Sequence, residues 1–281
     1  MINPEVLAIT YGLSSAITWG AADFSGGFAT KRSSVFMVIL LSQLIGITLL
    51  IALAISFTEK LPHLHTMMMG GFAGISGTLG LIALYRGLAQ GRMGIVAPVS
   101  AVVTAIIPIL FVFFTQGLPK VSQLSGFGVA IFSVWFISHT GSGSKIRAYE
   151  LYLAAAAGIG FGLFFIFIGS VSSGAILWPL VVARCASLSL LSVIVFVRRQ
   201  ADIPGRGQLP FIVLTGILDA GGNTFFALAA QAGRLDISAV LASLYPAATI
   251  LLAGFILKER LSRQQWVGVT GALLALVLIA S

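Results

Sequence analysis

The sequence predicts an all-α polytopic membrane protein: ten transmembrane helices in two inverted five-helix repeats. Three observations predict it. Only 9% of the 281 residues are charged, against 58% hydrophobic, where an ordinary soluble domain carries about a quarter charged residues. The apolar residues gather into ten continuous runs of about 20 residues, the length that crosses a ~30 Å hydrocarbon core at 1.5 Å per residue. The chain also aligns on itself without a gap at an offset of 142 residues, about half its length. Too few charges remain to coat a water-soluble globule, so a soluble enzyme, a disordered chain and a disulfide scaffold are excluded.

The runs lie near 6 to 28, 35 to 57, 68 to 89, 95 to 115, 121 to 138, 149 to 169, 177 to 197, 209 to 230, 237 to 257 and 266 to 280. They are continuously apolar, without the period-two alternation of barrel strands, so helices are predicted. Only the connectors near 58 to 66, 139 to 148 and 198 to 208 exceed a tight turn. No basic leader precedes the first run, Glu5 standing before it instead, and the run is expected to be retained. The single cysteine, Cys185, lies inside an apolar run and is expected to be a buried, inert thiol.

Sixteen Lys and Arg outnumber eight Asp and Glu. They form no stripe with interleaved aromatics, so nucleic acid is not expected as a partner. Outside the predicted spans, the odd-numbered connectors hold Lys31, Arg32, Arg92, Lys145, Arg147, Arg198, Arg199, Arg206, Lys258, Arg260 and Arg263, and the even-numbered ones only Lys60, Lys120 and Arg234. The positive-inside rule then places the odd connectors in the cytoplasm and both termini outside.

At the offset of 142, Trp19 and Gly20 fall on Phe161 and Gly162, Gly74 and Ile75 on Gly216 and Ile217, Gly91 and Arg92 on Gly233 and Arg234, and Gln123 and Gly126 on Gln265 and Gly268. The polar stretch His139 to Ser144 is the seam, dividing the chain into repeats 1–141 and 142–281. Five spans per unit is an odd number, so the second unit enters the membrane from the opposite face, as in secondary transporters.

The end of the second repeat carries a proline-broken span (Ser243 to Leu257), a Lys-Glu-Arg connector at 258 to 260, and Gln265 and Gly268 opening the last span. This resembles the EamA-type repeat of the drug/metabolite transporter superfamily, and the aromatic-Gly pairs at 19–20 and 161–162 fit it. The first half departs from the pattern: where an acidic residue follows the fourth span, this chain has Gln116 and Gly117. The resemblance implies a ten-helix carrier of small metabolites, more often exporting than importing, in the bacterial inner membrane.

Charges at mid-bilayer depth cost about 2.5–3.5 kcal/mol each on insertion scales, and so mark candidate sites. Asp219 lies about ten residues from either end of the eighth span, ~15 Å deep, with Asn223 and Phe226 on the same face at i+4 and i+7. Two readings stay open: a carboxylate that alternately binds a proton and a polar or cationic substrate, or a static ion pair with Arg184 of the seventh span. Asp23, near the end of the first span and on the face of Trp19, is expected to meet Lys31, Arg32 or headgroup water at the interface, with a coupling or buried ion-pair role beside Asp219 and Arg184 as the second reading. Arg86 is expected to snorkel, and its neighbour Tyr85 is a candidate for the substrate path. Pro108 and Pro246 are expected to kink the fourth and ninth spans by freeing the carbonyls of Thr104 and Ala242, and broken helices at corresponding positions point to a midplane site. Tyr245, Trp19 and Phe161 are the aromatics expected beside it. Gly70-x-x-x-Gly74 and Gly158-x-Gly160-x-Gly162 are expected to be close helix contacts.

The predicted function is therefore a secondary transporter of a small organic solute, such as an amino acid or related compound, working by alternating access and driven by protons or another gradient. An aspartyl-type intramembrane enzyme is the first alternative, but Asp23 and Asp219 lie at different predicted depths and lack Tyr-Asp and Gly-x-Gly-Asp motifs. A channel would need a ring of like charges or a filter loop. His63, His65 and His139 fall in connectors with no H-E-x-x-H, and there is no P-loop, so no metal and no cofactor are expected. A monomer is expected.

Overall fold

In the computed structural model the described residues are 4–90, 93–116, 121–122, 125–126, 128–129, 132–133, 148–171, 174–199, 203–232, 235–258 and 263–280. Among them there are helices and no strands. We number the helices α1 (Pro4–Thr30), α2 (Val35–Ser56), α3 (Leu64–Gln90), α4 (Met93–Gln116), α5 (Ala148–Gly169), α6 (Leu177–Arg198), α7 (Leu209–Ala232), α8 (Leu235–Ala242), α9 (Tyr245–Leu252, continued by a π-helical turn Ala253–Leu257) and α10 (Arg263–Ala280). The predicted fifth span, 121–138, lies mostly outside the described residues.

Among the described residues, five stretches are long and apolar enough to cross a membrane: Val35–Ser56, Leu64–Gln90, Ala148–Gly169, Leu177–Arg198 and Arg206–Ala232. Two of the remaining stretches differ for visible reasons. α1 is 27 residues long but carries Ser14, Ser15, Thr18, Asp23 and Ser25. The predicted ninth span is two short helices, because the chain leaves helical geometry at Ser243 and Leu244. Pro246 then sits in the first turn of α9, where a missing N–H leaves no helical bond unmade. By contrast, α4 runs as one helix through both Pro98 and Pro108.

The helices face their surroundings apolar side out. On α1, Ile9, Leu13 and Ile17 are exposed while Ser15 and Asp23 are buried; on α3, Phe72, Ile75 and Leu79 are exposed while Ser76 and Thr78 are buried. In a bilayer the outer solvent is as apolar as leucine, so hydrogen-bonding groups are stable only toward the inside of the bundle. Cys185 corrects the expectation of a buried thiol: it is exposed, on the outer face of α6, where small size and low polarity are tolerated.

The halves interlock. α1 lies antiparallel along α7, from Tyr11 stacked on Phe225 to Phe28 against Phe211, and α3 lies antiparallel along α5, from Phe72 beside Phe167 to Gly80 beside Phe161. Under the 142-residue offset these are one contact made twice. The Trp19 ring covers Gly222 and the Phe161 ring covers Gly80, while Gly20 backs onto Thr249 and Gly162 onto Ile107. α3 runs parallel to α6, with Gly70 against Pro179, Gly74 against Ala183 and Thr78 hydrogen-bonded to Ser187. The glycine motifs are thus close approaches: a Cβ on Gly74 or Gly160 would enter the backbone of α6 or α3. α2 runs antiparallel to α6, meeting it at Gln43 near its middle and at Glu59 just past its end.

That last contact ties the two repeats together. The Glu59 carboxylate accepts hydrogen bonds from the backbone N–H groups of Ile176, Leu177 and Trp178, and the Trp178 indole donates to the Glu59 carbonyl at 2.8 Å. A carboxylate here satisfies orphan donors of α6 and lies at the positive end of its dipole. Glu59→Ala is expected to lower stability by about 1–2 kcal/mol, with Glu59→Gln keeping part of it; thermal unfolding of the purified protein in detergent checks this. A Glu59→Gln variant as stable as wild type would show that the charge contributes nothing.

Candidate functional site

One cavity of about 70 Å³ lies between the halves, lined by Trp19, Asp23, Gln43, Gly77, Thr78 and Thr104 from the first and by Phe161, Phe164, Arg184, Asp219, Asn223 and Tyr245 from the second. Its walls are built by the close contacts already described. The crossing of α3 and α6 at Gly74 and Ala183 brings Arg184 inward, and the pairing of α1 with α7 turns Trp19 and Asp23 toward Asp219 and Asn223.

The ion pair that was one of two readings is formed: Arg184 Nη1 lies 2.7 Å from Asp219 Oδ2. The same Nη1 donates to Gln43 Oε1, and Arg184 is only 7% exposed. Asn223, one turn along from Asp219, donates to the Asp219 carbonyl at 2.6 Å and to its carboxylate at 3.3 Å. A buried ion pair is retained only when its remaining valences are satisfied; Gln43 and Asn223 supply part of that, while Arg184 Nη2 is buried without a partner. Elsewhere in the wall Thr78 donates to Ser187 Oγ, Thr104 to the Ser100 carbonyl, and Tyr245 to Ser100 Oγ at 3.1 Å.

Asp23 corrects the interfacial expectation. It is 7% exposed and lines the cavity, well inside the bundle. It shares that cavity with Asp219, about one helical turn away along the antiparallel α1–α7 pair, where Ala22 meets Thr215 and Ser15 meets Gly222. The two aspartates do not form the proton-sharing pair of an aspartyl protease, because Asp219 is held by Arg184 and Asn223.

Trp19, Phe161, Asp219, Asn223, Arg184 and Tyr245 come together as cavity lining. Phe226 and Tyr85 do not. Phe226 is fully buried behind the wall, stacked on Phe165 at 4.4 Å between ring centroids and tilted against Trp19 at 5.8 Å. Tyr85 is packed in the core with its hydroxyl against Gly26. Pro108 and Pro246 lie outside the lining, though Thr104 and Tyr245 beside them are in it. Arg86 stands with Arg198 over the Phe36 ring, 4.9 and 5.7 Å from its centroid, so a cation–π contact holds it near its helix end. Gln43, Thr78, Ser187 and the Phe164–Phe165 pair were missed. Gln43 alone carried a signal, as a long polar side chain in the middle of an apolar run.

A helical bundle with apolar side chains outward and charges gathered round an interior cavity defines a polytopic membrane protein with a polar internal cavity. The EamA-like transporter family model matches residues 6–139 and again 148–281, and the chain belongs to that family. It is an integral membrane protein of the drug/metabolite transporter superfamily, whose members transport rather than catalyse. The second match begins and ends 142 residues after the first, at 148 against 6 and 281 against 139. No curated protein matches the chain. A protein of known crystal structure superposes with a TM-score of 0.71 at 15% identity, over 96% of this chain and 95% of its own; at that identity the likeness is one of fold.

Proposed function

We propose that the protein is a secondary transporter with ten spans in two inverted repeats, carrying a small organic solute through the central cavity by alternating access, as an exporter in the bacterial inner membrane. One observation carries the reading: both repeats contribute to one cavity in which a buried ion pair and a further carboxylate lie at the junction. The opposed directions of α1 with α7 and α3 with α5, and the exchange of their contacts under the repeat, support an inverted relation. Arg184 holds Asp219 within the second repeat and Gln43 of the first, so a change at the pair would be felt across the junction about which the repeats would rock. Coupling to a proton gradient belongs to the same reading, with Asp219 as the carboxylate through which it would run.

The test is overexpression in cells challenged with toxic amino acids, amines and analogues, beside uptake by inside-out vesicles under an imposed pH gradient. Wild type is expected to confer resistance to at least one compound and to accumulate it, and Asp219→Asn to lose at least nine-tenths of both. Resistance and pH response untouched by Asp219→Asn would remove that carboxylate's role; vesicles that move no solute would overturn the transporter reading.

A further inference from the structure

We infer that the solute carried is a small organic cation, recognised by Asp23 through its charge and by the aromatic wall around it. The inference rests on the transporter reading and narrows it.

The charges facing the cavity are one guanidinium, Arg184, and two carboxylates, Asp219 and Asp23. The guanidinium charge is balanced by Asp219, its Nη1 is bonded to Gln43 and only its Nη2 is unpartnered, so the charges lining the cavity sum to one negative and favour a cationic over an anionic solute. Asp23 is left over. It is more than nine-tenths buried, lines the cavity, and forms no hydrogen bond or ion pair among the described residues. A buried carboxylate without a partner is stable only with a proton on it or a cation beside it.

A neutral polyol would need several open donors and acceptors, and the wall offers few. The hydroxyls and amides of Thr78, Ser187, Thr104, Asn223 and Tyr245 each have a protein partner. The rest of the lining is aromatic or aliphatic. Trp19 is one helical turn before Asp23 on α1, on the same face, and Phe161, Phe164 and Phe165 complete the wall. Ring faces around a carboxylate attract a cation, and above all an alkylammonium, whose apolar groups lie against the rings. Proton and ammonium then compete for Asp23, so that one leaves as the other binds.

The experiment uses the full-length protein in proteoliposomes, with radiolabelled tetramethylammonium, alanine, acetate and mannitol as probes of the four charge classes, and ligand-dependent thermal shifts in detergent as a second readout. Tetramethylammonium is expected to be taken up and to raise the melting temperature. Asp23→Asn is expected to weaken both at least tenfold, Asp23→Glu to restore part, and Trp19→Leu to weaken them three- to tenfold with the Asp23 carboxylate still present. Should Asp23→Asn fail to fold, the graded series of Asp23→Glu and Trp19→Leu carries the test. Uptake of alanine, acetate or mannitol with tetramethylammonium excluded overturns the cation assignment and leaves a transporter. Tetramethylammonium uptake equal in wild type and Asp23→Asn overturns the role of Asp23. No uptake of any probe and no thermal shift overturns the cation assignment, and with a negative resistance screen the transporter reading as well.

Discussion

Arg184→Leu is expected to destabilise the protein by about 3–5 kcal/mol, because it leaves Asp219 as an uncompensated buried carboxylate, and to abolish transport. The guanidinium is 7% exposed and holds both Asp219 and Gln43, so its loss frees two polar groups at once. The informative variant is the double one. Arg184→Leu with Asp219→Leu removes both charges, and replacing a buried pair by apolar side chains of similar volume is often neutral or stabilising. The double variant should therefore recover most of the melting temperature and none of the transport. A double variant less stable than either single one would show that the helices are held by something other than charge balance; one that still transports would remove the pair from the mechanism.

Gly74→Val is expected to lower transport at least tenfold and stability by about 1–3 kcal/mol, the cost of overpacking a tight contact. Any Cβ at Gly74 meets the carbonyl of Ala183, the residue before Arg184. α3 and α6 must then separate, and the guanidinium moves relative to both Asp219 and Gln43. Gly71→Val is the control on the same helix. A Cβ there meets nothing within 4 Å, so transport and melting temperature should stay near wild type. Equal effects of the two substitutions would mean that loss of glycine flexibility matters, and not the close approach.

Both expectations depend on contacts that differ in how far they could be read from residue order. Composition and the apolar runs specify a membrane bundle, because a chain with so few charges has no other stable solvent. The repeat was equally readable, and the 142-residue offset recurs in the family matches. Asp219, Asn223 and Arg184 stood out because a charge inside an apolar run is costly enough to demand a partner. Asp23 was misplaced by the same logic applied too locally. Five residues from a span end suggested the interface, yet α1 continues to Thr30 and its pairing with α7 carries Asp23 to the cavity.

The amino-acid sequence by itself determined that the chain lives in lipid, that it is built twice from one unit, and which few charges would need partners. Only the tertiary structure decided which side of each helix looks inward. It placed Cys185 outside, Phe226 and Tyr85 behind the wall, and Glu59 on the end of a helix more than a hundred residues away in the chain. The reason is the solvent. In water, apolar periodicity reveals the buried face of a helix; in a bilayer both faces are apolar, and the inward face is chosen by how closely neighbouring backbones approach, at Gly74 on Ala183 and Gly20 on Thr249.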